Sequence, residues 1–359
     1  MAKKNVTLQM IADKVGVSKS TVSEVLRDRK GRIQASEATR LKIFDIAHKL
    51  NFEPNAAARS LITGKTYNIG FLLSSHTNLG IANNYFASIL SGVQYTCRVR
   101  GYNCIVSVYD LSSIKDFVMP MKLKRRTVDA VVISGYVEEE VLQCLIQNNT
   151  PFILIGETTD FPLEGILNIS RDMVADWLKI FEYLYQLDHR QIGVGGTIGK
   201  RWHTLLDDAI SRFSQTHSDA SLNFVRYNGA PRDDNVFLSA FEQGAKWAKS
   251  NSSVTAVVSH DQWCLGFLSG IRENGKNCPQ DVSVVSSCDT ILCQWGYPSI
   301  TAISMPLYES GSMATEILVN LIENKITVME AHRMAAKLLQ ERQLIIRKST
   351  GPAPGYKQL

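Results

Sequence analysis

Residues Thr7 to Leu26, TLQMIADKVGVSKSTVSEVL, restrict the fold more than any other stretch of the chain. Leu8, Ile11, Ala12 and Val15 stand at i, i+3, i+4 and i+7, the spacing that gathers apolar side chains on one face of a helix. After the turn Val15-Gly16-Val17, Ser18 is placed to cap a second helix whose buried stripe is Val22, Val25 and Leu26. The other face of that helix carries Lys19, Ser20, Thr21, Ser23, Glu24 and Arg27, short hydroxyls beside long charged groups, the chemistry that reaches base edges and phosphates. The pattern predicts a helix-turn-helix with its recognition helix over 19–27. The competing reading is an αα-hairpin packed into some larger helical core, because helix pairs with a glycine turn occur in many folds.

Charge favours the first reading. Residues 1–66 hold 13 of the 39 Lys+Arg and 6 of the 34 Asp+Glu, a balance of +7, which leaves 26 against 28, or −2, for the rest of the chain. A basic excess confined to the helix-pair segment is what contact with a polyanion by that segment alone requires.

Beyond Arg27 the polar stretch Asp28-Arg29-Lys30-Gly31-Arg32 is suited to touch a phosphate backbone, or else to lie solvated at the surface. Ser36 can cap a third helix, in which Ile43, Ile46, Ala47 and Leu50 repeat the apolar spacing and close a small three-helix core. Pro54-Asn55 then starts a short helix rich in alanine that Gly64 stops. A helix of about two turns is unstable alone in water, so it needs a packing partner, either a second copy of itself or DNA.

VTLQMIADKVGVSKSTVSEVL, followed by EATRLKIFDIAHKLNFEPNAAARSL, resembles the DNA-binding domain and hinge helix of the LacI/GalR family of bacterial transcription regulators, almost unbroken over residues 6–65. The resemblance implies that paired hinge helices enter the minor groove and wedge a leucine between base pairs. Leu61 matches that leucine, and Asn55, Ala58 and Arg59 match the positions around it. The alternative for Leu61 is a linker leucine packed on the next domain. Thr7 and Ser18 join the recognition-helix residues as implied DNA contacts. One departure stands out: the family usually reads TVSRVL, and this chain reads TVSEVL. Glu24 can accept a hydrogen bond, for instance from a cytosine amino group, but repels phosphate. Either the operator differs from the usual family site or Glu24 faces away from the bases.

From Tyr67 onward helices alternate with strand-like apolar runs at 68–73, 104–108, 128–134, 152–156, 191–195, 224–227, 254–259, 282–286 and 300–304. Such a βα series means parallel sheets wrapped by helices, and its length calls for two lobes. The fold class expected is therefore a small all-α helix-turn-helix domain followed by an α/β periplasmic-binding-protein-like core of two parallel-sheet lobes. IGFLL, RGY at 100–102, VDAVVISG, TPFILIGE, His189-Arg190, TAVVSHDQ, CPQDVSVVSS and LIIRKST resemble the core of the same family. That resemblance implies three chain crossings between the lobes, the last near Ser304-Met305-Pro306, and a small effector in the cleft.

Family cleft positions carried onto this chain give an unusual set: Gly156-Glu157, His260-Asp261 and Cys288-Asp289, with no counterpart to the arginine at the RxxGF helix start, where Asp207 falls. Groups that hold sugar hydroxyls are missing. A different ligand would be held by Glu157, His260 and Asp289, with Asp261 and Cys288 beside them and stacking on Trp202 or Trp263. The alternative is a core that binds no small molecule and serves for dimerisation. Trp177 and Trp247 fall in helices and are expected to be packing residues.

No GxSxG, Walker A or GxGxxG fingerprint is present, and His260-Asp261 has no second cluster at metal spacing, so neither catalysis, metal nor cofactor is expected. Seven scattered cysteines, none spaced as CxxC, suggest neither disulfides nor zinc. No apolar run approaches the ~18 residues that span a bilayer, and MAKKNVTLQ lacks the apolar core of a signal peptide, so the expected place is the cytoplasm, with no membrane partner.

The resulting expectation is a regulator, of repressor type, that binds a pseudo-palindromic double-stranded operator as a homodimer under a small-molecule effector of unknown identity. Its domains would be 1–53 (helix-turn-helix), 54–66 (hinge), 67–350 (effector and dimerisation core) and 351–359 (loose tail). The rival class is a solute-binding receptor with the same core and no genetic role.

Overall fold

The computed structural model describes residues 6–26, 35–52, 60, 63–74, 79–109, 127–135, 137–156, 164–196, 200–217, 219, 221–227, 235–338 and 342–355. The chain divides into two compact units, 1–66 and 67–359.

The first unit is built on α1 (Leu8–Val15), α2 (Lys19–Leu26) and α3 (Glu37–Lys49). Thr7 caps α1 by accepting from the Met10 amide at 3.3 Å, and Gly16 ends it at φ 80°, a left-handed turn that a side chain would strain. Ser36 caps α3 through the Thr39 amide at 3.2 Å. Ile11 and Ala12, Val22 and Val25, and Ile43 and Ala47 supply two buried residues from each helix to one core. Leu8, Val15, Leu26, Ile46 and Leu50, the other members of the apolar stripes, pack half-buried around it.

The second unit holds two sheets. In lobe one, β1 (Asn68–Ser74), β2 (Asn103–Tyr109), β3 (Ala130–Ser134), β4 (Phe152–Ile155) and β5 (Asn168–Ile169) lie in the order β2-β1-β3-β4-β5, all parallel. In lobe two, β6 (Gln191–Val194), β7 (Asn223–Arg226), β8 (Ala256–Ser259), β9 (Ser283–Ser286), β10 (Thr301–Ile303) and β11 (Leu344–Ile345) lie in the order β11-β10-β9-β8-β6-β7. Only β11 runs antiparallel to its neighbour. Central strands such as β3 and β8 are buried along their whole length, which is why they read as unbroken apolar runs rather than alternating ones. All nine expected strands are present. The two unforeseen ones, β5 and β11, have two residues each, too few to carry a pattern.

Both lobes share a doubly wound order whose direction reverses beside the first strand, and such sheets bind ligands beyond the carboxyl ends of their strands. The connections are what bring those ends together. After β5 the chain enters α6 (Met173–Gln186) in lobe two, and after β10 it returns through Ser304–Pro306 to α11 (Leu307–Ile322) and α12 (Val328–Lys337), whose apolar residues belong to the lobe-one core. It then re-enters lobe two at β11. Ser304–Pro306 is thus the second crossing among the described elements, not the last as the sequence suggested. The final one follows α12, where the LIIRKST segment returns to pair with β10.

Lobe one is locked by α11 against α4 (Asn84–Arg100). A Cβ on Gly92 would sit 2.0 Å from the Tyr308 carbonyl oxygen, and one on Gly311 2.0 Å from that of Ile89, so the helix backbones touch there. At the end of the pair Arg100 bonds Glu316, Glu323 (2.8 Å) and Asn320 (3.0 Å). In lobe two Trp177 packs on Phe181, and Trp263 stacks on Phe267, which Trp247 also meets.

Residues 351–355, expected to start a loose tail, are instead pinned under lobe two. His189 is fully buried; its Nδ1 lies 2.9 Å from Thr255 Oγ1 and its Nε2 3.0 Å from the Gly351 carbonyl, while the Ala353 amide donates to the Leu187 carbonyl at 2.9 Å. Burial lowers the His189 ring to about 4, so it stays neutral in the fold. Among the described residues no helix is long and apolar enough to cross a membrane.

Candidate nucleic-acid interface and interlobe cleft

In the first unit the recognition helix places its polar residues as the periodicity requires. Lys19 and Ser20 are exposed at the first turn of α2, Thr21, Ser23 and Glu24 are half-buried along it, and Thr7 and Ser18 are exposed beside it. Ser18 Oγ accepts from the Thr21 amide at 3.1 Å and lies 2.7 Å from Ser20 Oγ and 2.8 Å from Thr21 Oγ1. One donor and two acceptor sites are all a hydroxyl has, so Ser18 is used up as cap and anchor, and Ser20 and Thr21 keep capacity for an outside partner. No acidic residue occupies the first turn of α2. The positive end of the helix dipole, the exposed amides and Lys19 therefore act together on any anion placed there. Arg27, Asn55, Ala58, Arg59 and Leu61 lie outside the described residues.

The second unit has a cavity of about 160 Å³ between the lobes, with Gly135, Gly156, Arg171, Trp202, Pro306 and Arg342 among its walls. Gly135 and Gly156 directly follow β3 and β4, at the carboxyl ends where such sheets bind ligands. A dry cavity of about this size holds a single six-membered ring. Its aromatic walls are Tyr85 and Phe86, edge-to-face at 5.0 Å, and Trp202, which meets Trp177 edge-on at 5.1 Å.

The charged groups lining this cavity are two arginines, with Ser310 and Tyr85 adding hydroxyls. Arg171 Nη1 donates to the Ser287 carbonyl at 2.7 Å, joining the end of lobe one to lobe two, and stands 3.8 Å from Asp176 Oδ2. Arg342 Nη1 stands 3.5 Å from the same oxygen. Burial pushes the Asp176 carboxyl up against the pull of both guanidinium groups, and burial together with the repulsion of Arg171 lowers Arg342. Burial also raises the Tyr85 hydroxyl, which both arginines oppose.

Of the effector residues expected from sequence, Trp202 alone among the described ones lines this cavity. Glu157 lies outside the described residues, next to Gly156. Asp289 is held by Arg347 in two bonds of 2.8 Å, and Asp261 accepts from Thr290 Oγ1 at 2.6 Å with His260 Nδ1 at 3.7 Å. Cys288 is buried, its thiol pushed well above the usual range by that burial, and Trp263 is sealed in the lobe-two core. Asp261 and Asp289 are thus bonded within lobe two, whereas His260 Nε2 and Trp263 Nε1 are buried without a hydrogen-bond partner among the described residues. Arg171 and Arg342, which do face the cavity, went unnoticed in the sequence, since neither stands in a motif and they lie in different crossing segments. Among the described residues no group of three His, Cys, Asp or Glu could hold a metal ion.

A basic helix-turn-helix joined to a two-lobed core with a ring-sized cleft defines a class: DNA-binding proteins with a solute-receptor-like sensor. The pattern described as bacterial regulatory proteins, lacI family, matches residues 7–55, and that of a periplasmic binding protein-like domain matches residues 181–350. Residues 7–55 thus carry the DNA-binding domain of the lacI family of bacterial regulatory proteins, and the chain is a DNA-binding transcriptional regulator. It is 28% identical over 322 residues to the HTH-type transcriptional regulator RegA of Clostridium saccharobutylicum, covering 89% of this chain and 93% of that one. Its identity to catabolite control protein A of Streptococcus mutans is 26% over 329 residues, covering 89% and 92%. Its fold superposes on the Lac repressor bound to ONPG in the repressed state with a TM-score of 0.75 at 22% identity, covering 97% of this chain and all of that one.

Proposed function

We propose that the chain is a repressor that binds a pseudo-palindromic operator as a homodimer and responds to a small molecule held in the interlobe cleft. The observation that carries the DNA half of the reading is the exposed first turn of α2, with Lys19 and Ser20 outward, Ser18 locked as cap and no carboxylate in that turn. A single recognition helix reads only a few base pairs, and a two-fold dimer doubles the site. Thr7, Lys19, Ser20, Thr21, Ser23, Glu24 and Arg27 are assigned to the major-groove side and Asn55, Ala58, Arg59 and Leu61 to the hinge, with Leu61 as the wedge. The effector would sit against Trp202, with Glu157, His260, Asp261, Cys288 and Asp289 around the strand ends. We assign it no catalytic role and place it in the cytoplasm with the DNA it binds.

The domain limits that fit this reading are 1–53, 54–66 and 67–350, with the remainder as tail. The test is binding of the purified chain to duplex DNA over a range of salt. A regulator of this kind shows a steep fall of log affinity with log salt, one unit or so per phosphate neutralised, and a solute receptor shows no binding at all. Replacing Leu61 with Ala should weaken binding and straighten the bound duplex; unchanged bending would remove the wedge.

A further inference from the structure

Among the described residues, the cleft has more positive charge than its own carboxylates neutralise. Arg171 and Arg342 approach a single carboxylate oxygen, Oδ2 of Asp176, from 3.8 and 3.5 Å, both beyond hydrogen-bond length. Arg342 Nη1 and Asp176 Oδ2 are buried, and neither makes a hydrogen bond among the described residues. Arg171 spends one amino group on the Ser287 carbonyl, but a carbonyl carries no charge to balance it. Tyr85 and Cys288 beside the pair are neutral, with burial raising the pKa of both, and the charges of Lys179 and Asp172, which also act on Asp176, oppose one another. Two cations against one anion beside an open cavity is a costly arrangement for an empty site, because a buried guanidinium lacking a full partner loses hydration without recovering it. A second anion placed in the cavity would complete the set, and guanidinium forks are the groups that hold carboxylate and phosphate oxygens bidentately.

We propose that the cleft ligand is a small anion, a ring-sized molecule bearing a carboxylate or phosphate group, whose charged end is bound between Arg171 and Arg342. This rests on the reading of the cleft as the ligand site given above. The cavity's volume limits the body of the ligand to about one ring, and Trp202 with Tyr85 offers that ring its apolar walls. Asp176 then acts as the competitor that holds the arginines in place until the ligand arrives.

The test is calorimetric titration of the full chain with D-glucuronate, inorganic phosphate and D-glucose, the first and last being nearly equal in size. Glucuronate is expected to bind at least ten-fold more tightly than glucose. Arg342→Gln should cost at least ten-fold in glucuronate affinity, and Asp176→Asn should raise it several-fold, a change of opposite sign that no general loss of folding produces. A wild-type urea unfolding transition of the core serves as the check that Arg342→Gln is folded. Binding of phosphate but not glucuronate would assign the pair to phosphate and still support an anion site. Glucose binding as tightly as glucuronate would overturn the anion assignment and leave the ligand cleft standing. Failure of both anions to bind, or anion binding indifferent to Arg342→Gln and Asp176→Asn, would overturn it as well. Neither result depends on whether the chain binds DNA, so the two readings fail separately.

Discussion

The helical unit and the interlobe cleft solve the same problem, presenting polar groups to a partner, in opposite ways. In α2 the residues that fold the helix and those that face outward alternate along eight consecutive positions, with Val22 and Val25 inward and Lys19 and Ser20 outward. In the cleft the groups that face the cavity come from segments as far apart as Tyr85, Arg171, Trp202 and Arg342. Local architecture leaves its function written in periodicity. Architecture assembled by chain crossings does not, and there the residues that look functional in sequence are free to become structural.

The comparison is most open to breakage at Asp289. If that carboxylate is a structural partner of Arg347 rather than a ligand group, Asp289→Ala leaves a mostly buried guanidinium unpaired and should cost the core about 3–5 kcal/mol. Urea unfolding measures this. Little loss of stability combined with loss of effector response would return Asp289 to the ligand.

Next in size is the core's dependence on pH through His189. Its ring is held neutral at a pKa of about 4 in the fold, against an ordinary 6.5, so below 6.5 the unfolded chain takes up a proton that the folded chain refuses. Stability contributed by the neutral ring is complete above 6.5 and falls as pH drops from 6.5 to 4, by up to about 3 kcal/mol at 1.36 kcal/mol per unit. His189→Gln should flatten that part of the profile. An unchanged slope would mean that the contacts to Thr255 and Gly351 do not fix the neutral form.

Smaller again is the cap of α2. Ser18→Ala removes the bond to the Thr21 amide and should cost the helical unit about 1 kcal/mol, with no change in the unfolding of the core. A matching loss in both would show that the two units are not energetically separate. The smallest expected change concerns Glu24. Glu24→Arg should alter the preferred base at one position of each half-site with little effect on stability, and an unaltered preference would show that Glu24 does not read DNA.

Much of the fold was legible before the structure. Leu8, Ile11, Ala12 and Val15 named the face of α1, and continuous apolar runs such as 130–134 marked central parallel strands because burial on both faces leaves no room for alternation. What escaped was short or non-local. The strands at 168–169 and 344–345 are set by their neighbours, and the last lobe crossing follows from that late strand. The pinned tail depends on Leu187 and His189, more than 150 residues earlier. Family positions pointed to Asp261 and Asp289 for the ligand; in the fold Thr290 and Arg347 bond them, and no spacing in the sequence tells a carboxylate with an internal partner from one without. The arginine missing from the helix start has no bearing on Arg171 and Arg342, which line the cavity from segments that no motif marks.

The central claim is sequence-specific recognition of DNA by the helical unit under control of the core. It is tested most directly by selecting bound sequences from a random duplex pool with the purified full chain, with and without D-glucuronate, phosphate and neutral sugars. The account predicts a two-fold symmetric consensus with half-sites about 10 base pairs apart, or a multiple of that, whose recovery changes with one of the anions. Failure of any consensus to emerge would contradict it.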